Sequence, residues 1–112
     1  MTAVKKPSKR KKNDTNSADV EAAARVLRLE SEGVAALLDV LDDGFTRALD
    51  LLAAVEGRII VTGIGKSGHV ARKIAATLAS TGTPAQYVHP AEASHGDLGM
   101  VTGDDAVLAM SN

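Results

Sequence analysis

Residues 58–62 read Arg58-Ile59-Ile60-Val61-Thr62, an apolar, β-branched run with no polar alternation. Such a run predicts a strand covered on both faces, as in a parallel α/β sheet. Val70, Ala71, Ile74, Ala75 and Leu78 then recur at helical spacing, and Thr81-Gly82 supplies a stop. A glycine-rich loop therefore joins a strand's carboxyl end to a helix's amino end. Pro84-Ala85-Gln86-Tyr87-Val88 reads as a second strand closed by His89, and Ala106-Val107-Leu108-Ala109-Met110 as a third. The long connection over residues 89–103 carries a short helix around residues 91–94, opened by Pro90. Upstream, Val20, Ala23, Ala24, Leu27, Val34, Leu37, Leu38 and Leu41 mark the apolar stripe of a long helix that Ser17 can cap. Gly33 is its weak point. Asp42-Asp43-Gly44 breaks the chain, and Phe45, Ala48, Leu49, Leu52 and Val55 predict a second amphipathic helix ended by Gly57.

Composition narrows the class. At 112 residues and 45% hydrophobic content, the chain suffices for one small domain. One Phe, one Tyr and no Trp make its core aliphatic. The absence of cysteine excludes disulfides and thiolate metal sites and is compatible with a reducing cytoplasm. No apolar run is long enough to span a membrane, and no apolar signal core follows the basic start, so a soluble, cytoplasmic protein is expected.

The net charge of −1 hides an asymmetry. Lys5, Lys6, Lys9, Arg10, Lys11 and Lys12 make residues 1–17 a basic tail, expected to be disordered, whereas acidic residues dominate thereafter. Nucleic-acid contact is disfavoured because the tail has no aromatic residue for stacking. Residues 18–56 form the N-terminal helices. Their stripe suits either packing within the domain or association with a second subunit.

The chemistry concentrates in Gly63-Ile64-Gly65-Lys66-Ser67-Gly68-His69. A strand-to-helix junction of this kind is where α/β folds bind anions, because free N–H groups meet the positive end of a helix dipole. A Walker A loop is excluded: Ile60 stands where its first glycine should be. G-x-G-x-x-G is satisfied by Gly63, Gly65 and Gly68, yet His89 occupies the place of the ribose-binding acid of a dinucleotide site.

A longer string discriminates. The glycine segment, Ala79-Ser80-Thr81-Gly82-Thr83-Pro84, and His89-Pro90-Ala91-Glu92-Ala93-Ser94-His95-Gly96-Asp97-Leu98-Gly99-Met100 together resemble the amino-terminal half of a sugar isomerase (SIS) domain of the arabinose-5-phosphate isomerase type. The resemblance spans residues 57–112, where Met110-Ser111-Asn112 matches the start of the family's serine-rich phosphate loop. It implies a three-layer, flavodoxin-like parallel α/β sheet, truncated here, and a sugar-phosphate isomerase interconverting ribulose 5-phosphate and arabinose 5-phosphate for 3-deoxy-octulosonate and lipopolysaccharide or capsule synthesis. A sugar phosphate and a homo-oligomer are the implied partners. No cofactor is required, and an inhibitory zinc ion is an implied ligand.

By the same resemblance Lys66 is catalytic, while Gly65, Ser67, Gly82, Thr83, His89, His95 and Ser111 contact substrate, and His89 can also ligate the zinc. Read without it, Lys66 is an exposed loop lysine, His89 a structural histidine, His95 a turn or cap residue, and Gly82-Thr83 a helix C-cap. The resemblance puts the acidic and histidine proton-transfer groups after residue 112, so this length is expected to be inactive alone. A non-catalytic sugar-phosphate-binding SIS module is the alternative.

Overall fold

The computed structural model describes residues 2–5, 8 and 14–112. Lys6, Lys9, Arg10, Lys11 and Lys12, which carry the expectation of a disordered basic tail, lie outside the described residues. The chain divides into two compact units, Met1–Asp42 and Asp43–Asn112.

The first unit is built on helix α1, Asp14–Ala36, followed by a 3-10 turn, Leu37–Val40. The helix starts before Ser17, which corrects both the cap and the limit of the tail at residue 17. Small polar residues differ among themselves by only roughly a few tenths of a kcal/mol in helix propensity, so the start can slide along such a run. The apolar stripe does not continue as one helix to Leu41. Leu37 and Leu38 fall on the tightened 3-10 turn, and Leu41 is already extended at φ −74°, ψ 119°. The Ser31 hydroxyl donates to Leu27 O at 2.7 Å, occupying its side chain within the helix.

The second unit alternates helix and strand. Helix α2 (Asp43–Ala53) precedes strand β1 (Ile59–Gly63), helix α3 (Gly65–Ser80) and strand β2 (Ala85–Tyr87). The short helix α4 (Pro90–Ser94), a 3-10 turn (Asp97–Met100) and strand β3 (Ala106–Met110) complete it. The sheet order is β2-β1-β3 and both pairings are parallel, with Ile59 opposite Ala85 and Ala106. This is the α/β architecture that the apolar runs and the intervening helix predict, since parallel neighbours require crossover connections.

Strand β1 is central and buried from both sides, which explains its lack of polar alternation. On one face Ile59 and Val61 pack against Ala71 and Ala75 of α3, with Leu52, Ile74, Leu78 and Tyr87 around them. The small alanines let the helix approach closely, and each large aliphatic buried there contributes roughly 1.5–3 kcal/mol relative to exposure. On the other face Ile60 is also buried. Arg58 extends there, donating from Nη1 to Gln86 Oε1 and from Nη2 to Met100 O, both at 2.9 Å. Among the described residues, no helix is long and apolar enough to cross a membrane.

At the amino end of the sheet, Asp105 holds the start of β3 to the start of β1. Its carboxylate accepts from Arg58 N at 2.6 Å and Thr102 N at 2.8 Å, with the Arg58 guanidinium 3.6 Å away. These donors, the backbone N–H of Arg58 foremost, hold its pKa below the usual aspartate value.

Candidate functional site

The segment expected to be a loop is largely helix. Gly65, Lys66, Ser67, Gly68 and His69 already belong to α3, and Ile64 in extended backbone precedes them without any side-chain cap. Gly65 makes the turn at φ +62°, a left-handed conformation that favours glycine. Gly63 and Gly68 serve proximity instead. A Cβ at Gly68 would stand 2.7 Å from Gly63 O and 3.1 Å from the Tyr87 hydroxyl, and one at Gly63 would stand 3.0 Å from Met110 O. The glycine pattern thus presses the first turns of α3 onto the carboxyl ends of the strands. With no side chain capping the helix, its leading N–H groups and positive dipole end are available to an anion.

Two cavities flank these turns. On the β3 side, Ile64, Lys66, Ser67, Ser111 and Asn112 line a space of about 230 Å³. Lys66 is exposed and Ser67 half-buried. This cavity gathers an ammonium group, two hydroxyls and the helix terminus. Such a set can neutralise a phosphate or steady an oxygen on which negative charge develops.

On the β2 side, Gly65, Gly68, His69, Arg72, Tyr87 and His89 line a second space of about 220 Å³. Tyr87 donates its hydroxyl to Gly63 O at 2.6 Å, and the Arg72 guanidinium lies over its ring, 4.0 Å from the centroid. The His89 ring meets Tyr87 edge-on, with centroids 6.5 Å apart. His89 also caps α4: its Nδ1 accepts from Ala91 N at 3.0 Å, which assigns the proton of the neutral ring to Nε2. The Thr62 hydroxyl donates to Val88 O, tying the residue before His89 to β1.

The expected site residues therefore separate. Lys66, Ser67 and Ser111 share one cavity; Gly65 and His89 belong to the other. Gly82 and Thr83 join neither. They line a cavity with Leu52, Gly57 and Pro84 at the opposite end of the sheet, because α3 runs sixteen residues before the chain turns back. At 1.5 Å rise per residue that is roughly 24 Å. Gly82 has φ +96° and Thr83 N donates to Leu78 O at 2.9 Å, which is the C-cap role. Within this chain they stand apart from the cavities lined by Lys66 and His89. His95 is exposed at the end of α4, where its N–H donates to Ala91 O and Glu92 O, and it lines neither cavity.

Among the described residues no three His, Cys, Asp or Glu side chains gather closely enough to hold a metal ion. His89 offers one ring nitrogen, the other being engaged with Ala91.

Arg72 and Tyr87 were not singled out in the sequence, and His69 stood there only as the last residue of the glycine segment. Their available signal was the recurrence of Gly65, Gly68, His69 and Arg72 at helical spacing, which places all four on one face. A wider cavity of about 590 Å³ at the amino end of the sheet is lined by Leu51 and Val55 together with Glu56, Asp104 and Asp105. Its carboxylates oppose an anionic ligand.

The SIS domain family matches residues 52–112. Arabinose 5-phosphate isomerase KdsD of Pseudomonas aeruginosa is 59% identical over 93 residues, covering 83% of this chain and 28% of that protein. Arabinose 5-phosphate isomerase GutQ of Escherichia coli K12 is 52% identical over 92 residues, covering 82% of this chain and 29% of the relative. The chain thus spans under a third of the length of these curated relatives. Among solved structures, E. coli CFT073 c3406 in complex with arabinose 5-phosphate superposes with a TM-score of 0.80 at 41% identity, covering 89% of this chain and 52% of that one. A putative phosphosugar isomerase involved in capsule formation from Bacteroides fragilis gives 0.76 at 35% identity, covering 83% and 50%.

Proposed function

This chain belongs to the SIS domain family, and from that premise we propose that it supplies part of the site of an aldose–ketose sugar-phosphate isomerase, interconverting ribulose 5-phosphate and arabinose 5-phosphate. The observation that carries the reading is the single cavity in which Lys66 and Ser67, on the first turn of α3, meet Ser111 just past β3. The names of the curated relatives and the arabinose 5-phosphate bound to a structural neighbour support the choice of sugar. In this reading the protein works as a homo-oligomer and its product feeds 3-deoxy-octulosonate synthesis for lipopolysaccharide or capsule.

Isomerisation moves one proton from C1 of the ketose to C2 and one between the two oxygens, through an enediol, with no net change in composition. The hydroxyls of Ser67 and Ser111 and the α3 terminus suit the phosphate. The Lys66 ammonium suits the oxygen that becomes enediolate, where a preorganised cation stabilises the transition state more than the ground state. Among the described residues no acid lines this cavity, so the base that moves the carbon-bound proton comes from outside this set.

The test is an isomerase assay with ribulose 5-phosphate on the protein at its full coded length. Lys66→Ala is expected to lower kcat/KM by about a hundredfold or more, the loss typical of removing one transition-state donor, with far-UV circular dichroism and urea midpoint unchanged. Undiminished activity would remove Lys66 from the mechanism. A wild-type protein that binds arabinose 5-phosphate but turns nothing over would identify a binding module instead.

A further inference from the structure

We infer that Arg58 is a positioning residue of the isomerase site: from the amino end of the sheet its guanidinium latches the connection between β2 and β3, and so sets how residues 90–100 stand at the ligand end. The inference rests on the isomerase reading. The connection opens at the carboxyl end of β2, the end at which open α/β sheets bind ligands, and crosses β1 to reach the amino end of β3. It carries Glu92, His95 and Asp97. Right-handed crossovers that leave β1 and β2 in opposite directions lie on opposite faces, so α3 covers one face and this connection crosses the other.

Between its ends the connection bonds to itself. Ala93 N donates to His89 O, His95 N to Ala91 O and Glu92 O, Gly96 N to Ala93 O, and Gly99 N to Gly96 O. The Ser94 hydroxyl donates to Pro90 O at 3.1 Å. Among the described residues, no hydrogen bond ties residues 91–99 to the sheet or to α3. Helix α4 packs against the 3-10 turn that follows it, so the two form one piece whose place depends on how its ends are held. At the far end Arg58 does the holding. Its Nη2 donates to Met100 O and its Nη1 to Gln86 Oε1 of β2, both at 2.9 Å, a pair of acceptors on different elements that a planar fork of donors can reach at once. Asp105, whose side chain is 2% exposed, accepts from Arg58 N and Thr102 N and lies 3.6 Å from the guanidinium. The arginine is thereby oriented before any ligand arrives.

The experiment compares Arg58→Met, Arg58→Lys and Gln86→Ala with wild type, each at the full coded length. Methionine keeps an unbranched apolar stem and removes both donors, while Asp105 keeps its two backbone donors in every variant. In Arg58→Met, deuterium uptake in peptides covering residues 90–101 should quicken by about tenfold, as loss of a charge-assisted bond requires, with uptake across β1 and α3 unchanged. The KM for ribulose 5-phosphate should rise by about tenfold as well, because loosening the connection weakens the bound state. A merely structural loss would lower the folded fraction, and hence kcat, at unchanged KM. Arg58→Lys, whose ammonium can reach one acceptor, should stay within about threefold of wild type in both readouts. Gln86→Ala, which leaves Met100 O paired, should stay within about twofold.

Unchanged uptake over residues 90–101 in Arg58→Met would overturn the latch, and quickened uptake at unchanged KM would overturn the positioning role. Gln86→Ala matching Arg58→Met in either readout would overturn the assignment to Met100 O. A wild type that neither turns over ribulose 5-phosphate nor binds arabinose 5-phosphate would sink the isomerase reading and the positioning role with it, whereas the latch stands or falls on deuterium uptake alone.

Discussion

At the scale of single residues, the glycine string was legible as a motif but not in its physics. Gly65 is required for its positive φ, whereas Gly63 and Gly68 are required because backbone atoms of another segment lie against them. Gly68→Ala is therefore expected to destabilise the fold by about 1–3 kcal/mol, the usual penalty for overpacking, measured as a lower urea midpoint. Relief of that clash by a second change would have to move strand backbone, so a neutral result would refute the close approach. Asp105 gives a pH prediction. Its folded-state pKa lies below its unfolded value, so its stabilisation is complete above about pH 4, near the unfolded aspartate pKa, and is lost as pH falls through the folded pKa. In urea titrations from pH 7 to strongly acid conditions, the wild-type midpoint should fall more steeply below that point than the midpoint of Asp105→Asn. Parallel curves would remove Asp105 from the acid response. Neither Tyr87 nor Arg72 stood out in the sequence, because their meeting depends on a helix face crossing a strand end.

Among the elements, the strands and the core face of α3 follow directly from apolar spacing. The third strand occupies residues 106–110 as expected, and α4 begins at Pro90. Element starts were less legible. Helix α3 begins at Gly65 instead of after the glycine string, since glycines tolerate a helical turn when packing against a strand requires their small size. Helix α1 runs through Gly33, whose missing side chain has open space around it and whose φ is not positive. Gly33→Ala should therefore stabilise this helix by about 1 kcal/mol, seen as a higher thermal midpoint by circular dichroism at 222 nm or as greater helicity. A lower midpoint would show that something packs against that position.

For the molecule as a whole, the buried apolar set among the described residues is small, resting on Ile59, Ile60, Val61, Ala71, Ala75 and Val88. Large apolar side chains stay exposed on α2 and β3, among them Phe45, Leu49, Leu51 and Val107. Exposed apolar surface of this kind favours association. Sedimentation velocity is expected to show concentration-dependent self-association at micromolar chain, and a strictly monomeric chain would argue against the homo-oligomer. The sequence alone determined the α/β class, the central strand and the anion-suited junction after it, because hydrophobic period, β-branching and glycine placement act locally along the chain. Only the tertiary structure decided that Lys66 and His89 face different cavities, that Gly82 and Thr83 stand at the far end of the sheet, and that Arg72 rests on Tyr87. Those relations depend on helix length, crossing and strand register, which set distances between residues far apart in sequence.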